Sequence, residues 1–237
     1  MWGDFIDWEK RRLGEKGFLE RELKKRGCVK VLDAACGDGC DSIHLLKKGF
    51  RVTSNEIDPL FVEKALSNAR RQKTRLNITS FDWREFDEKF EENGFDAITL
   101  LGNSLTYLFN KKDRLKALDA FKNVLKPSGV LLVDERNYQY MLDHRKQALA
   151  GNFRYGKKVV YCGERVHAKP VEIRENRVVL KYEHENGKTG FLKLYPFKKG
   201  ELLELLEQAG FRKTTQYSDY KPGYDYAADF HQYVAIK

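Results

Sequence analysis

Val31-Leu32-Asp33-Ala34-Ala35-Cys36-Gly37-Asp38-Gly39 reads as the end of a buried strand, then an acid, then a glycine turn that opens a helix. Glycine admits positive φ and lets a ligand come close to the backbone. The start of the helix that follows offers free N–H groups. A dinucleotide site asks for G-x-G-x-x-G. Here Ser42 stands at the third glycine position and the acid precedes the loop. That combination fits a cofactor ending in an amino acid better than one carrying a pyrophosphate. Asp33 is then placed to face a cationic amino or sulfonium group.

Working outward, residues 8–27 read as a helix with Phe18, Leu19 and Leu23 on one face, closed by Gly27. After the loop come a helical run at 40–48 stopped by Gly49, a strand at 50–55, and a helix from Pro59 to about 73. Strands follow at 77–82 and 95–101, a helix at 112–124, and a turn at Pro127-Ser128-Gly129 that leads into a strand at 130–134. This alternation predicts a parallel, doubly wound α/β sheet. The pattern then changes. Residues 157–164, 171–183 and 189–197 alternate apolar and polar side chains, with Asn186-Gly187 as a hairpin turn. A helix at 199–209, capped by Gly210, and strands at 211–218 and 230–236 finish the chain. The expected division is a cofactor-binding domain, 1–136 and 198–237, interrupted at 137–197 by an antiparallel β insert acting as substrate sub-domain or lid.

Glu56 follows the second strand, where a carboxylate can accept both hydroxyls of a ribose. Asp58 is a nearby rival, and both acids could instead cap the helix that begins at Pro59. Asp82-Trp83 ends the third strand, where an adenine amino group could find a carboxylate; the alternative is a surface acid beside a packed indole.

At 237 residues and 41% hydrophobic, the chain can bury one good core. It holds no apolar run of about 18 residues, which predicts no membrane span, and its first residues lack the apolar region of a signal peptide. Cytoplasm is the expectation. Cys28, Cys36, Cys40 and Cys162 make no disulfide framework in a chain of this length, and no His or Cys cluster completes a metal site around Cys36 and Cys40. The net charge of +9 comes from 44 basic and 35 acidic residues, mostly interspersed, with a basic cluster near 145–158. A solvated mixed-charge surface fits this better than a nucleic-acid-binding face.

The loop 33–39 resembles motif I of class I S-adenosylmethionine methyltransferases. More narrowly, 31–42, Leu101-Gly102-Asn103-Ser104, Asp134-Glu135-Arg136-Asn137-Tyr138 and Tyr161-Cys162-Gly163-Glu164 resemble glycine N-methyltransferase and the glycine/sarcosine N-methyltransferases. The N-terminal Trp2…Ile6-Asp7-Trp8-Glu9 and the segment from Phe211 to the end also fit, so the resemblance covers nearly the whole chain. It implies a Rossmann-like, seven-stranded methyltransferase sheet that binds S-adenosylmethionine. It also implies direct in-line methyl transfer to the amine of glycine or sarcosine, towards dimethylglycine and betaine. Arg136 matches the arginine that holds the substrate carboxylate, which suits a planar guanidinium. Asn103 matches the asparagine that orients the amine, and Tyr161, Tyr182 and Tyr195 match tyrosines around substrate and sulfonium. Trp2 and Arg12 match residues closing over the cofactor, Arg12 near its carboxylate, and Leu101 matches a cofactor-lining position. With Asp33, Ala34, Gly37, Gly39, Glu56, Asp82 and Trp83 these complete the expected site.

There are departures from the family pattern. Asp38 stands where the family usually has Thr, and Tyr107 where the animal enzymes have His. Family members carry residues before the segment matching Trp2, where this chain begins. The expected partner is a small amino acid, with neither nucleic acid nor membrane; a homo-oligomer stays open. Two other readings also stay open: a methyltransferase of another small amine or carboxylate, and an RNA-binding methyltransferase or cofactor-binding module.

Overall fold

The computed structural model describes residues 7–151 and 165–237. The chain begins with α1 (Trp8–Glu15) and α2 (Phe18–Lys25), then alternates β1 (Lys30–Asp33), α3 (Cys40–Lys47), β2 (Arg51–Asn55), α4 (Pro59–Arg71) and β3 (Ile78–Thr79). A short α5 (Phe86–Lys89), β4 (Phe95–Leu100), α6 (Lys111–Val124) and β5 (Leu125–Arg136) follow. The second part holds α7 (Tyr138–Asp143), α8 (Arg145–Leu149), β6 (Val166–Arg174), β7 (Arg177–His184), β8 (Thr189–Leu194), α9 (Glu201–Gln208), β9 (Lys213–Ser218), β10 (Lys221–Pro222) and β11 (Phe230–Ile236).

The large sheet has the order β10-β9-β11-β5-β4-β1-β2-β3. Strands β1 to β5 run parallel, while β11 runs antiparallel to both β5 and β9. From β1 the chain winds outward one way through β2 and β3. It then returns to build β4 and β5 on the other side. The order therefore reverses between β1 and β4, and the crevice beyond their carboxyl ends is where open α/β sheets bind ligands. The glycine loop leaves β1 at that point. The expected seven strands are present, and the two-residue β10 pairs with β9 as an eighth at the edge.

Successive residues of the strands point to opposite faces, and each face is apolar. Val31, Val52, Leu132 and Val234 pack under α2 and α3 with Phe18, Leu19, Leu23 and Leu45. Leu32, Ile98, Leu131, Val133 and Tyr233 pack under α5, α6 and α9 with Phe86, Phe121, Leu202 and Leu206. A separate three-stranded antiparallel sheet, β6-β7-β8, covers α7 and α8 with Val166, Val178, Leu180, Tyr182 and Leu194.

The predicted helix 8–27 is two helices. Lys16 and Gly17 both take positive φ (49° and 72°), which breaks the helix after one end and starts the next. The alternating run 171–183 is the end of β6 and most of β7, turned at Glu175-Asn176. Asn186-Gly187 turns β7 into β8 as expected. The third strand, predicted over 77–82, is confined to Ile78–Thr79, because Asp82 caps a 3-10 turn at Trp83–Glu85. Helices α7 and α8 were not predicted; they lie where the alternating pattern had not yet begun. The run 157–164 lies outside the described residues. Among the described residues no helix is long and apolar enough to cross a membrane.

Candidate active site

The glycine loop is held from three directions. Asp33, buried at the end of β1, accepts from Ser42 Oγ at 2.6 Å and Thr99 Oγ1 at 3.4 Å. Ser54 Oγ donates to Ser42 Oγ at 2.8 Å, so β1, β2, β4 and α3 share one buried polar chain. The Ala34 carbonyl accepts from Trp83 Nε1 at 2.8 Å and Asn55 Nδ2 at 3.4 Å. The Gly37 N–H donates to Glu56 Oε2 at 2.9 Å, and Glu56 Oε1 accepts from the Asp58 N–H at 3.0 Å. Asp58 caps α4 through the Leu60 N–H at 2.9 Å, so the capping role falls to Asp58 and Glu56 turns to the loop.

Gly37 and Gly39 take φ of 54° and 88°. A Cβ on Gly37 would meet open space, whereas one on Gly39 would press on Ala65, Ile43 and Leu76 at 3.3 Å. Gly37 thus presents bare backbone outward, and Gly39 seats the loop against α3 and α4. Asp38, between them, is buried. Its carboxylate accepts from Trp8 Nε1 at 3.0 Å, with Lys64 4.0 Å away, and its carbonyl accepts from Asn68 Nδ2 at 2.8 Å. The departure from Thr is accounted for: this acid fastens α1 to the loop.

Burial and the nearby Asp41 push Asp33 up to about 7, against the pull of the Ser42 hydroxyl. Asp41 lies in the first turn of α3 and binds Arg11 and Arg12 of α1. Through that contact Arg12 stands at the start of α3, with Cys40 Sγ at 3.7 Å from its Nη2.

The second half of the site lies where β4 and β5 end. Asn103 takes φ 65°, an uncommon conformation outside glycine that Asn tolerates best. Its N–H donates to Asp134 Oδ1 at 2.6 Å, its Oδ1 accepts from the Arg136 N–H at 3.0 Å, and its Nδ2 donates to Tyr138 Oη at 2.7 Å. Burial holds Asp134 above the usual carboxylate range, opposed by the Asn103 N–H. The Arg136 guanidinium lies over the Phe230 ring, 5.0 Å from its centroid. Leu101 is partly buried beside the core on the α2–α3 face, and its carbonyl accepts from Ser104 Oγ.

Three predicted residues sit in other company. Asp82 bonds the Arg84 N–H and guanidinium, the latter at 2.6 Å, while its neighbour Trp83 turns inward to Ala34. Tyr182 is buried in the core of the small sheet, which also contains Tyr138. Tyr195 donates to Glu201 Oε1 at 2.8 Å under the Arg114 guanidinium, and reaches Asn103 only by way of Thr106, which accepts from its N–H and donates to the Asn103 carbonyl. Trp2 and Tyr161 lie outside the described residues. No local sequence pattern gives a role to Asp41, Ser42, Thr99, Asp134 or Tyr138, because their contacts are with elements distant in sequence. Nor does any such pattern give the effect of Glu56 on Tyr107, whose hydroxyl is pushed up by desolvation and by that carboxylate.

Residues 31–129 match the family described as a methyltransferase domain. The glycine/sarcosine N-methyltransferase of Halorhodospira halochloris is 39% identical over all of this chain and 85% of its own length. That of Parasynechococcus marenigrum is 36% identical over all of this chain and 81% of its own length. A solved S-adenosylmethionine-dependent methyltransferase from Clostridium acetobutylicum superposes with a TM-score of 0.72 over 98% of this chain and 92% of its own, at 19% identity. The sheet order and the loop at its point of reversal are those of the class I, S-adenosylmethionine-dependent methyltransferases. Within that class, the chain belongs to the glycine/sarcosine N-methyltransferase family.

Proposed function

We propose that this enzyme methylates the amino nitrogen of glycine, sarcosine or both, with Arg136 taking the substrate carboxylate and Asn103 orienting the amine. The observation that carries the reading is the tie between these two residues. Asn103 accepts from the Arg136 N–H with one end of its amide and donates to Tyr138 with the other. Both are thereby fixed at the strand ends beside the crevice. The bond fixes the Arg136 main chain, its guanidinium rests over the Phe230 ring, and that planar group suits two parallel hydrogen bonds to a carboxylate.

Two features at the loop and beside it in α1 fit S-adenosylmethionine. The backbone above Gly37 is open to a ligand, and Arg12 Nε is buried without a hydrogen-bond partner among the described residues. Arg12 would hold the cofactor's carboxylate, Asp33 its ammonium, and Glu56 its ribose hydroxyls. Leu101, Ala34 and Trp83 would line the rest, and Asp82 would reach the adenine only by giving up Arg84. When bound, the cofactor supplies a methyl group on a cationic sulfur, the electrophile of the reaction. What the chain contributes is alignment of the amine with that methyl and fixed dipoles that need no rearrangement during transfer. We assign residues 137–197 to a substrate sub-domain or lid, supported by the Tyr195 N–H bond to Thr106 beside Asn103. Tyr182 and Tyr195 then act from that sub-domain.

The test is release of S-adenosylhomocysteine with glycine, sarcosine and dimethylglycine offered separately. Turnover with glycine and sarcosine is expected. Arg136→Ala is expected to raise KM for the amino acid on the order of tenfold or more while cofactor binding persists. No turnover with any of the three, in a protein that binds cofactor, overturns the assignment.

A further inference from the structure

Helix α1 is fastened at the start of α3 by a buried group of four charges. Asp41 binds two successive arginines: its Oδ2 accepts from Arg11 Nη2 at 2.6 Å and its Oδ1 accepts from Arg12 Nη2. Glu15, one turn further along α1, accepts from Arg11 Nε at 2.9 Å and lies 2.8 Å from Arg12 Nη1. The side chains of Arg11, Glu15 and Asp41 are 6%, 3% and 10% exposed, whereas Arg12 is 21% exposed and is the member of the group that reaches outward. Burial works against the charge on Asp41, but Arg11 and Arg12 outweigh it and hold the carboxyl below its usual range. The anion is therefore present throughout the neutral range.

Docking of α1 does not by itself account for these charges. Apolar residues of similar volume would dock a helix at least as firmly, and Trp8 already ties α1 to Asp38. What the group does achieve is placement. Arg11 satisfies Asp41 from the buried side, Glu15 braces both arginines, and the long Arg12 side chain is left in one orientation at the first turn of α3. Among the described residues its Nε has no hydrogen-bond partner.

We propose that Asp41 and Glu15 are positioning residues: they hold the Arg12 guanidinium where its remaining N–H groups meet the carboxylate of the cofactor's amino-acid tail. Recognition of that tail is thereby made dependent on the seating of α1. The inference rests on the reading of Arg12 as the tail's partner. A side chain fixed in advance loses less entropy on binding, so releasing it weakens the ligand even though the guanidinium is still present.

Titration calorimetry with two ligands tests this. S-adenosylhomocysteine carries the amino-acid tail; 5′-methylthioadenosine shares the adenosine and the thioether but lacks it. Arg12→Ala is the reference. Arg12→Ala and Asp41→Asn are each expected to weaken S-adenosylhomocysteine on the order of tenfold or more, Glu15→Gln by less, and methylthioadenosine in all three by no more than about twofold. A loss with Arg12→Ala but none with Asp41→Asn or Glu15→Gln overturns the positioning role and leaves that of Arg12 intact. Equal losses for both ligands in Asp41→Asn make Asp41 a structural residue and overturn the proposal too. If Arg12→Ala leaves S-adenosylhomocysteine unchanged, the assignment of Arg12 fails and the inference with it. Should Asp41→Asn not fold, Glu15→Gln decides the matter, because it keeps Asp41 in place.

Discussion

Gly37 and Gly39 stand two residues apart in one turn, both at positive φ, and their surroundings separate what each contributes. An alanine at either position carries the strain of a left-handed backbone, about 1–2 kcal/mol. At Gly39 the added methyl must also displace Ala65, Ile43 and Leu76, all already at 3.3 Å, whereas at Gly37 it projects into the space a ligand would use. Gly37→Ala is therefore expected to abolish cofactor binding at a stability cost of no more than about 2 kcal/mol, and Gly39→Ala to cost more in stability. Chemical denaturation beside cofactor titration separates the two; equal stability losses would remove the distinction. Glu56→Ala is expected to weaken S-adenosylmethionine on the order of tenfold or more with little change in melting temperature, and unchanged calorimetric affinity would return Glu56 to a purely loop-holding role. The acid at the strand end, the glycines and Glu56 were readable because they follow one another along a single β-loop-α-β unit. The bonds from Ser42 and Thr99 to Asp33 were not, since they depend on which residues of β4 and α3 share a face with β1. Asp82 shows the reverse limit. Its sequence position suits an adenine, but Arg84 two residues away supplies a local partner that no strand-level pattern excludes.

At the scale of elements, α1 carries more than its length suggests. Its eight residues bury Arg11 and Glu15, and it is anchored to the loop through Trp8 and Asp38. Burial raises the Asp38 carboxyl, while the Trp8 N–H and Lys64 favour its charged form. Trp8→Phe keeps an aromatic body and removes the donor. A loss of about 1–2 kcal/mol is expected, with hydrogen exchange rising first in α1 and the glycine loop rather than in the central strands. Uniform exchange across the sheet would mean that α1 is not a separately opening unit. Apolar periodicity was enough to find a helix here but not the break at Lys16-Gly17, because the apolar stripe lies wholly in α2: Phe18, Leu19 and Leu23 are buried, whereas α1 docks by charge. Helices α7 and α8 were hidden for another reason: each is six residues or fewer, too short to show a period, and their few buried apolar residues pack against β6–β8 rather than the main sheet.

Across the whole molecule, one face of β5 and β11, where Glu135 and His231 stand opposite each other, sets much of the response to pH. On the α9 side, Glu135 is fully buried and accepts from Tyr233 Oη at 2.5 Å. Burial, helped by Glu201 and Asp134 against the Tyr233 bond, pushes it up to about 8. His231, opposite Glu135 in the register, is pushed down to about 4 by burial. The unfolded chain ionises glutamate near 4.3 and histidine near 6.5. Between about 4.3 and 8 the folded protein holds a proton on Glu135 that the unfolded chain has lost, so stability falls as pH rises through that window. Between about 6.5 and 4 the unfolded chain protonates a histidine that the fold keeps neutral, so stability falls as pH drops. Asp33, raised to about 7, adds to the first slope at its lower end. From about 7 to 8 the slope belongs to Glu135 among these three. Glu135→Gln keeps an acceptor for Tyr233 and removes the titration. Wild-type stability is expected to fall by about 1–2 kcal/mol from pH 6.5 to 8.5, the variant to lose most of that slope, and its pH of greatest stability to move upward, because Asp33 alone is left to oppose the His231 limb. Urea titrations at half-unit pH steps measure both curves. Parallel curves would mean that the Glu135 carboxyl is ionised in the fold at neutral pH, and that the Tyr233 bond outweighs its burial.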